Sequence, residues 1–457
     1  MFRRDKLQPF LVLMFFLSLS SKWVNAQESA ILQSYIQEGL QYNLGVQSGE
    51  LGIQKATQKL KQAKSLSKFK LGFEANYTVA AGGRKLDFPI GDLLNPVYNT
   101  LNFLTQSQSF PEVENTSIQF LPNNFHETKL NFALPIYNTD VRFNQKIQTS
   151  LVAGKTSMED AKKQSLKFDI TEAYIKFLQT WEAEKIWQNN RKVLSELKRL
   201  NESLVKNGVA TEDIVETADF ELAKVDNAIF ELQSNRNSAR AYFNYLLGKD
   251  QQSEVMIDSA LFNRVVPDYN LDEALESSMS KRNELRGLEN FIEAAETNSI
   301  REDKNKRLPE LYLGGSFGFQ GFGYTFNKEQ AYALAQVGLT YDLLDGKLQK
   351  NKIQESRLDY QIARKQLDDT KEQIKLQTTL AWNELQAAKF SWKSAEKNVL
   401  AAESIYRIVN NKYRAGQALL LEFLEAEARR TNAHMTKLLA WSEVLTKEAA
   451  FRKAVGE

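Results

Sequence analysis

The feature that most constrains this sequence is a repeat built on two glycine-centred reversals. Gly208 and Gly416 each interrupt a long pattern of apolar residues at helical spacing, and another such pattern starts directly after each glycine. Each of the following segments runs 40 residues to a second glycine, Gly248 or Gly456. A repeat on this scale means that one building block occurs twice, so the fold must be made of two related halves.

The N-terminal segment 1–26 has the pattern of a secretory signal peptide. Arg3 and Arg4 form a basic start, the short apolar run 9–19 follows, and a small-residue cleavage motif ends at Ala26. The apolar run is shorter than the about 20 residues that a spanning helix needs. An uncleaved anchor or a buried first helix is the alternative interpretation.

Charge and cysteine content restrict the class of protein. Residues 1–26 hold four of the 59 basic side chains and one of the 57 acidic ones, so the mature chain has a net charge near −1. That balance gives no reason to expect nucleic acid binding. Because the chain has no cysteine, an exported protein of this size must be held together by packing or by assembly. No later segment has the about 18 consecutive apolar residues of a transmembrane helix.

The sequence also lacks the residues that most enzymes and metal proteins need. Its only histidines are His126 and His434, and no nucleophile, metal-ligand or phosphate-binding motif is present. The glycines of the segment 314–318 lie on a predicted strand, where they suit close strand packing better than phosphate binding. We therefore predict a protein that is not an enzyme and has no cofactor or metal.

The spacing of apolar residues predicts the same order of elements in both halves. Residues 27–248 are predicted to form helix, strand, loop, strand, long helix, reversal at Gly208 and return helix. Residues 271–457 repeat this order around Gly416, after an irregular linker at 249–270. The predicted helices are 29–66, 141–206, 211–247, 271–306, 347–413 and 419–454, and the predicted strands are 69–79, 129–135 (ended by Pro135), 311–319 and 333–343.

The connection between the first two strands, residues 82–127, is predicted to be a long loop. It shows no periodicity and holds four of the eight prolines. The equivalent connection in the second half, at 321–330, is short. The first half therefore carries one elaborated surface whose partner the sequence does not reveal.

The four predicted strands determine the architecture. Each has one apolar face and about the 9–11 residues of a tilted membrane-spanning strand. Hairpins of soluble sandwiches share this pattern, but the signal peptide, the recurrence of the hairpin and the long helices favour the membrane interpretation. Four strands cannot close a barrel, so several copies must share one. Helices of about 65 residues would project roughly 100 Å from it.

The sequence resembles the TolC-like outer-membrane efflux protein family over essentially all of its mature length. The resemblance rests on the duplicated order of elements and on three phrases. These phrases are Ala133-Leu-Pro-Ile-Tyr137, Arg307-Leu-Pro-Glu-Leu311 and Tyr413-x-x-Gly416-x-x-x-x-x-Glu422-x-x-Glu425-Ala426. It implies a mostly α fold with β: a homotrimer sharing a twelve-stranded transmembrane β-barrel, four strands per chain, continued by an α-helical barrel of long coiled-coil hairpins.

The same resemblance implies a location and a role. Family members lie in the cell outer membrane, in contact with its lipid, with the helical tunnel in the periplasm. They act as passive exit ducts, together with a periplasmic adaptor protein and an inner-membrane transporter, in multidrug efflux or type I secretion. A periplasmic adaptor or a helical-hairpin scaffold without a membrane barrel is the alternative interpretation of the sequence.

The resemblance implies that Glu422 and Glu425 form the selectivity ring at the periplasmic gate. Residues at i and i+3 share a helix face, so three chains would gather six carboxylates around one opening and concentrate cations there. The alternative is an exposed acidic helix face that the helix dipole stabilises.

Three further residues are candidate gate contacts. Tyr413 matches a tyrosine that in the family helps to latch the closed tip, although its place in a seven-residue apolar series also suits simple packing. Glu212 and Asp213 stand, at shifted positions, where the family has acidic partners. Ala418 replaces the family's latch arginine, so the usual salt-bridge latch is in question.

The tip turns are the predicted contact surface for the adaptor. The residues concerned are Gly208 and Val209 in the first half and Gly416, Leu419 and Leu420 in the second. Burial of the same apolar residues within the trimer explains them equally well.

Overall fold

A computed structural model describes residues 29–457 of the chain, so the predicted signal peptide 1–26 lies outside the described residues. The helices are α1 (Ala30–Tyr42), α2 (Leu44–Ser65), α3 (Ile90–Leu104), α4 (Thr139–Lys206), α5 (Asp213–Leu247), α6 (Leu271–Lys281), α7 (Asn283–Arg307), α8 (Leu348–Arg414) and α9 (Leu420–Val455). The strands are β1 (Lys70–Thr78), β2 (Lys85–Phe88), β3 (Thr116–Gln119), β4 (Phe125–Tyr137), β5 (Glu310–Phe322) and β6 (Ala331–Thr340). The mostly helical fold class is confirmed.

Two predicted helices are each broken near their middle or start. The segment 29–66 divides at Asn43, whose backbone is extended and whose side-chain oxygen accepts a hydrogen bond of 2.8 Å from the Gly45 amide. The segment 271–306 divides at Arg282, which is also extended and donates a hydrogen bond of 3.1 Å to the Ala454 carbonyl. The helical spacing continues across both breaks, so periodicity alone could not detect them.

The prediction of a structureless loop at 82–127 is wrong. This segment contains β2, α3 and β3, and β2 pairs with β3 in a small antiparallel sheet of its own. Pro96 lies inside α3, near its middle, where it lacks the amide that would donate to the carbonyl four residues earlier. The prolines and asparagines obscured a helix with an apolar face.

The other strands form one antiparallel sheet in the order β1-β4-β5-β6. The prediction that Pro135 ends its strand is wrong. The strand β4 continues to Tyr137, and its register with β5 shifts between Pro135 and Tyr137. A bulge accommodates the missing amide of the proline. β1 and β6 are the edges of this sheet.

The chain forms two compact units. Among the described residues, one comprises 29–50, 159–283 and 370–457, and the other comprises 51–158 and 284–369. Each unit draws segments from both predicted halves.

The core of the first unit fixes the linker 249–270. The rings of Tyr35, Tyr174 and Phe243 pack together with centroids 5.0–5.6 Å apart. The Tyr174 hydroxyl donates a hydrogen bond of 2.8 Å to the Met256 carbonyl, and the Tyr35 hydroxyl accepts one of 2.8 Å from the Met256 amide. Two buried tyrosines thus hold a linker whose only regular element is the short 3₁₀ turn Ser259–Asn263.

The two return helices end in the same way. Gly248 and Gly456 follow α5 and α9 with φ of 71° and 90°, the left-handed conformation that favours glycine. A Cβ at Gly248 would lie 2.5 Å from the Tyr42 carbonyl oxygen, and one at Gly456 would lie 2.9 Å from the Lys281 Cβ. Each glycine therefore lets a return helix end in close contact with the last residue of a short helix, Tyr42 of α1 or Lys281 of α6.

Within residues 29–457, no helix combines the length and the apolar character needed to cross a membrane.

Candidate functional site

The first tip turn is closed by Gly208 after the last residue of α4. The glycine has φ of 69°, and its amide donates to the Val205 carbonyl at 2.9 Å. The Val209 amide then donates to the Leu204 carbonyl, also at 2.9 Å. These two bonds satisfy carbonyls that a helix end leaves open, as in a Schellman motif. Apart from the chain neighbours, no atom of residues 29–457 lies within 4 Å of the place where a Cβ would stand, so the backbone conformation alone requires glycine.

The second tip turn repeats this geometry at Gly416. Its φ is 70°, its amide donates to the Tyr413 carbonyl at 3.0 Å, and the Gln417 amide donates to the Lys412 carbonyl at 2.8 Å. The two glycines chosen from the sequence therefore end α8 and α4 in the same way.

Tyr413 connects the helical hairpin formed by α8 and α9 with the hairpin formed by α4 and α5. Its hydroxyl donates a hydrogen bond of 2.7 Å to Asn201 Oδ1 on α4. Asn201 is fully buried, and its Nδ2 donates a bond of 2.8 Å to the Ile214 carbonyl on α5. The Tyr413 ring also packs at 5.3 Å from the ring of Phe423. Tyr413 thus packs and hydrogen-bonds at once, and burial raises its pKa, which keeps the hydroxyl protonated as a donor.

An apolar cluster surrounds this link and joins α4, α5, α8 and α9. Its buried members are Leu194, Leu197, Val225, Ile229 and Phe423, and its half-buried members include Trp187, Val193, Leu222, Tyr406, Val409, Tyr413, Leu420 and Leu424. Because fully burying such a side chain contributes about 1.5–3 kcal/mol, the cluster stabilises the contact between these helices near the tips.

A buried carboxylate network, which the sequence did not reveal, lies further along α9. Glu427 is almost fully buried, and its Oε1 accepts hydrogen bonds from Asn190 Nδ2 (2.9 Å) and Arg430 (2.8 Å). Asn190 also donates 2.9 Å to the Thr431 hydroxyl. The Arg430 guanidinium lies 4.0 Å from the centroid of the Tyr406 ring. The i,i+3 pair of Glu427 and Arg430 was visible in the sequence, but nothing marked it as buried.

Burial raises the pKa of Glu427, although Arg430 and the hydrogen bonds oppose this effect. Within the part of the chain that the structure describes, its second oxygen, Oε2, has no hydrogen-bond partner. An ionised carboxylate is costly in such a place unless it is fully paired. Burial therefore keeps Glu427 protonated over a wider pH range than an exposed glutamate, in spite of the network.

Glu422 and Glu425 lie at the start of α9, on its exposed side. Phe423 and Ala426, which alternate with them, are buried. Neither glutamate forms an ion pair or a side-chain hydrogen bond with any residue between 29 and 457. The structure thus leaves both carboxylates available, and their role in a selectivity ring stays a prediction.

The other predicted gate residues are not brought together. Glu212 and Asp213 are exposed at the start of α5, where Asp213 accepts a hydrogen bond from the Thr211 hydroxyl. No hydrogen bond or ion pair joins either of them to Tyr413 within the described residues; the polar partner of Tyr413 is Asn201. The charged pair across α8 and α4 is instead Arg414 and Glu196, 3.9 Å apart and exposed, a geometry that contributes little.

The apolar residues predicted for adaptor contact divide into two groups. Val209 and Leu419 are 71% and 68% exposed. Leu420 is half-buried in the apolar cluster, whereas its neighbour Leu421, the last residue of the same apolar run, is exposed. An exposed apolar tip is thus formed by one residue of the first turn and two of the second.

No cluster of three or more metal-binding side chains is found in the described part of the chain. His126 is buried and hydrogen-bonds with Gln330 Oε1 at 3.0 Å, and His434 pairs with Glu403 at 2.6 Å. Both histidines therefore have structural partners.

The sequence is similar to outer-membrane efflux proteins. The family model for outer membrane efflux proteins matches residues 275–457. The toxin and drug export protein A of Aggregatibacter actinomycetemcomitans is 22% identical over 309 residues, which are 65% of each protein, so the chain spans about two thirds of that relative's length.

Solved structures extend the likeness to the whole fold. The outer membrane protein VceC from Vibrio cholerae superimposes with a TM-score of 0.73 and 19% identity, over 93% of this chain and 96% of that one. The outer membrane channel CmeC of Campylobacter jejuni gives a TM-score of 0.73 and 14% identity, over 93% and 86%. The fold is therefore that of these outer-membrane channels, and the resemblance to the TolC-like outer-membrane efflux family is confirmed.

Proposed function

We propose that three copies of this chain form an outer-membrane efflux channel. The observation that carries the proposal is a continuous apolar row across the four-stranded sheet. Phe73 of β1 faces Leu130 of β4, which faces Phe317 of β5, which faces Ala333 of β6. Residues directly opposite in antiparallel strands lie on one face of the sheet. Phe73 is 71% exposed, so nothing in the described chain covers this face.

The opposite face of the sheet is polar and internally paired. Lys129 Nζ lies 2.8 Å from Glu127 and 3.7 Å from Glu74, and Asn131 donates a hydrogen bond of 2.8 Å to Glu74. A sheet with an exposed apolar face and a charged, hydrogen-bonded face has the sidedness of a transmembrane barrel, in which lipid and an aqueous lumen lie on opposite sides.

The free edges of the sheet require partners. β1 and β6 are the edge strands, and in lipid their unpaired backbone groups must be satisfied by another chain. Three copies would supply twelve strands, which is enough to close a barrel. We therefore infer a homotrimer that shares one barrel in the outer membrane, with the helices α4, α5, α8 and α9 extending into the periplasm as a tunnel.

The tips support the role of a passive exit duct. The exposed Val209, Leu419 and Leu421 offer an apolar contact for a periplasmic adaptor, which would connect the tunnel to an inner-membrane transporter. Glu422 and Glu425 would form acidic rings at the narrow end. The duct itself performs no chemistry, so the transporter selects the cargo, whether drug or polypeptide.

Membrane fractionation and bilayer recording test this function. The wild-type chain should stay in the outer membrane after a high-salt wash, purify in detergent as a trimer and form pores in planar bilayers. Phe73→Lys, on the apolar face, should reduce membrane insertion, because a lipid-facing lysine costs about 2–4 kcal/mol at the bilayer midplane. The matched change on the polar face, Asn76→Lys, should be tolerated. A monomer released by salt would indicate instead a periplasmic adaptor or scaffold.

A further inference from the structure

The helix α3 within the segment 82–127 shows its apolar side to solvent. Leu93, Val97 and Leu104 follow one another at spacings of four and seven residues and are therefore on one side of the helix. Their side chains are 70%, 53% and 70% exposed. A surface helix normally turns such a stripe toward a core, so this side lacks the partner that its sequence demands.

The polar side of α3 explains why its own chain does not cover the apolar side. Asn95 exchanges two hydrogen bonds with the backbone of Val113, at 2.8 and 3.0 Å. Two turns further along the same side of the helix, Asn102 does the same with Phe110, at 2.7 and 3.0 Å. The segment 110–113 is thus bound by asparagine side chains, and the helix is fixed with its apolar side outward.

Charge indicates what covers this side. Helices that lie on a lipid surface usually carry lysine and arginine on their polar face. α3 has neither, and its one charged residue is Asp92. An uncharged apolar stripe is complementary to another copy of itself rather than to an anionic lipid surface.

Topology brings further copies close. α3 belongs to the connection between β1, an edge strand, and β4. In the proposed trimer the edge strand β1 pairs with a neighbouring copy, so the symmetric assembly carries three α3 helices at one end of the shared barrel. That is the end opposite the helical tunnel, because the strand ends at Lys70 and Tyr137 lead into α2 and α4.

We propose that the apolar sides of the three α3 helices pack against one another and narrow the outer mouth of the channel. This proposal rests on the proposed function, because it needs the trimer. Its ligand is a second copy of the same segment, and its consequence is a constriction separate from the periplasmic tips.

Cysteine cross-linking tests the contact directly, because the chain has no cysteine of its own. In the full-length, detergent-purified assembly, Leu93→Cys and Val97→Cys should form covalent dimers with an oxidant or with a bismaleimide that spans the about 8–10 Å between packed helices. At most two thirds of the chains should react, because one cysteine in each trimer is left without a partner. The control is Asn99→Cys, which is exposed on the opposite side of α3 and should remain uncoupled.

The outcomes separate this inference from the proposed function. Trimers that form pores but give no Val97→Cys dimers would overturn the α3 contact and leave the channel intact. Protection of the Val97→Cys thiol by lipid, without dimers, would assign the helix to the membrane surface and would also overturn the contact. If no trimer is found, the proposed function fails together with the inference. A second measurement is the single-channel conductance, which Leu93→Asn with Val97→Asn should raise and Asn99→Asp should not.

Discussion

The hydroxyl of Tyr413 donates a hydrogen bond of 2.7 Å to Asn201, a residue 212 positions earlier in the chain and fully buried. Asn201 in turn donates to the Ile214 carbonyl on the following helix. One polar chain of contacts thus connects the end of α8 with both helices of the first hairpin. Ala418 stands where the resemblance predicted a latch arginine, and the polar link that the structure shows nearby is uncharged.

Tyr413→Phe should loosen the tip while keeping the ring packed on Phe423. The change leaves Asn201 Oδ1 buried without its donor, which costs about 1–3 kcal/mol. We expect a lower unfolding midpoint and, in planar bilayers, a larger fraction of time in the open state. Tyr406→Phe is the control, because the Tyr406 ring packs at 5.9 Å from Phe423 but its hydroxyl forms no hydrogen bond within the described residues. Equal effects of the two changes would show that packing alone matters.

The left-handed conformation of Gly416 predicts that different substitutions there lower the stability of the fold by different amounts. Alanine there must adopt φ near 70°, which costs about 1–2 kcal/mol for an L-residue. Asparagine tolerates this conformation better, so Gly416→Asn should lose less stability than Gly416→Ala in chemical unfolding. The same order is expected at Gly208, and equal losses for both substitutions would contradict a purely conformational requirement.

Glu427 predicts a particular pH dependence of stability. Burial raises its pKa in the folded state above the ordinary value of 4.5, so the folded chain holds this proton more tightly than the unfolded chain. The stability due to the protonated form is fully present below that ordinary value and is lost as the pH rises through the folded-state pKa. Glu427→Gln mimics the neutral form. Thermal unfolding across pH 4 to 8 should therefore show the variant gaining on the wild type as the pH rises, and parallel curves would contradict the assignment.

The sequence predicted the backbone of the fold better than its contacts. The ends of α4 and α8 were predictable, because Gly208 and Gly416 each end a long helical pattern and only glycine suits the left-handed conformation. The link between Tyr413 and Asn201 was not, because it depends on which faces of two distant helices meet. The buried position of Glu427 was not predicted for the same reason. A glutamate is usually exposed, and only the packing of the helices around it shows that it is buried.

The segment 82–127 shows where periodicity misleads. In α3 the side chains that hold the segment 110–113 are two half-buried asparagines, whereas the apolar stripe of Leu93, Val97 and Leu104 is exposed. The apolar residues of this stripe are therefore not part of a core within their own chain. If α3 packs in an assembly, as we propose, the pattern belongs to the trimer rather than to the single chain.

The central claim, an assembled pore with an acidic narrow end at the start of α9, is tested most directly by ion selectivity in planar bilayers. Under a salt gradient the wild-type trimer should show a reversal potential that reports cation preference. Glu422→Gln with Glu425→Gln should shift it toward zero, while Glu216→Gln, in the first turn of the other return helix, should leave it unchanged. Absence of pores, or a reversal potential unaffected by removing both carboxylates, would contradict the account.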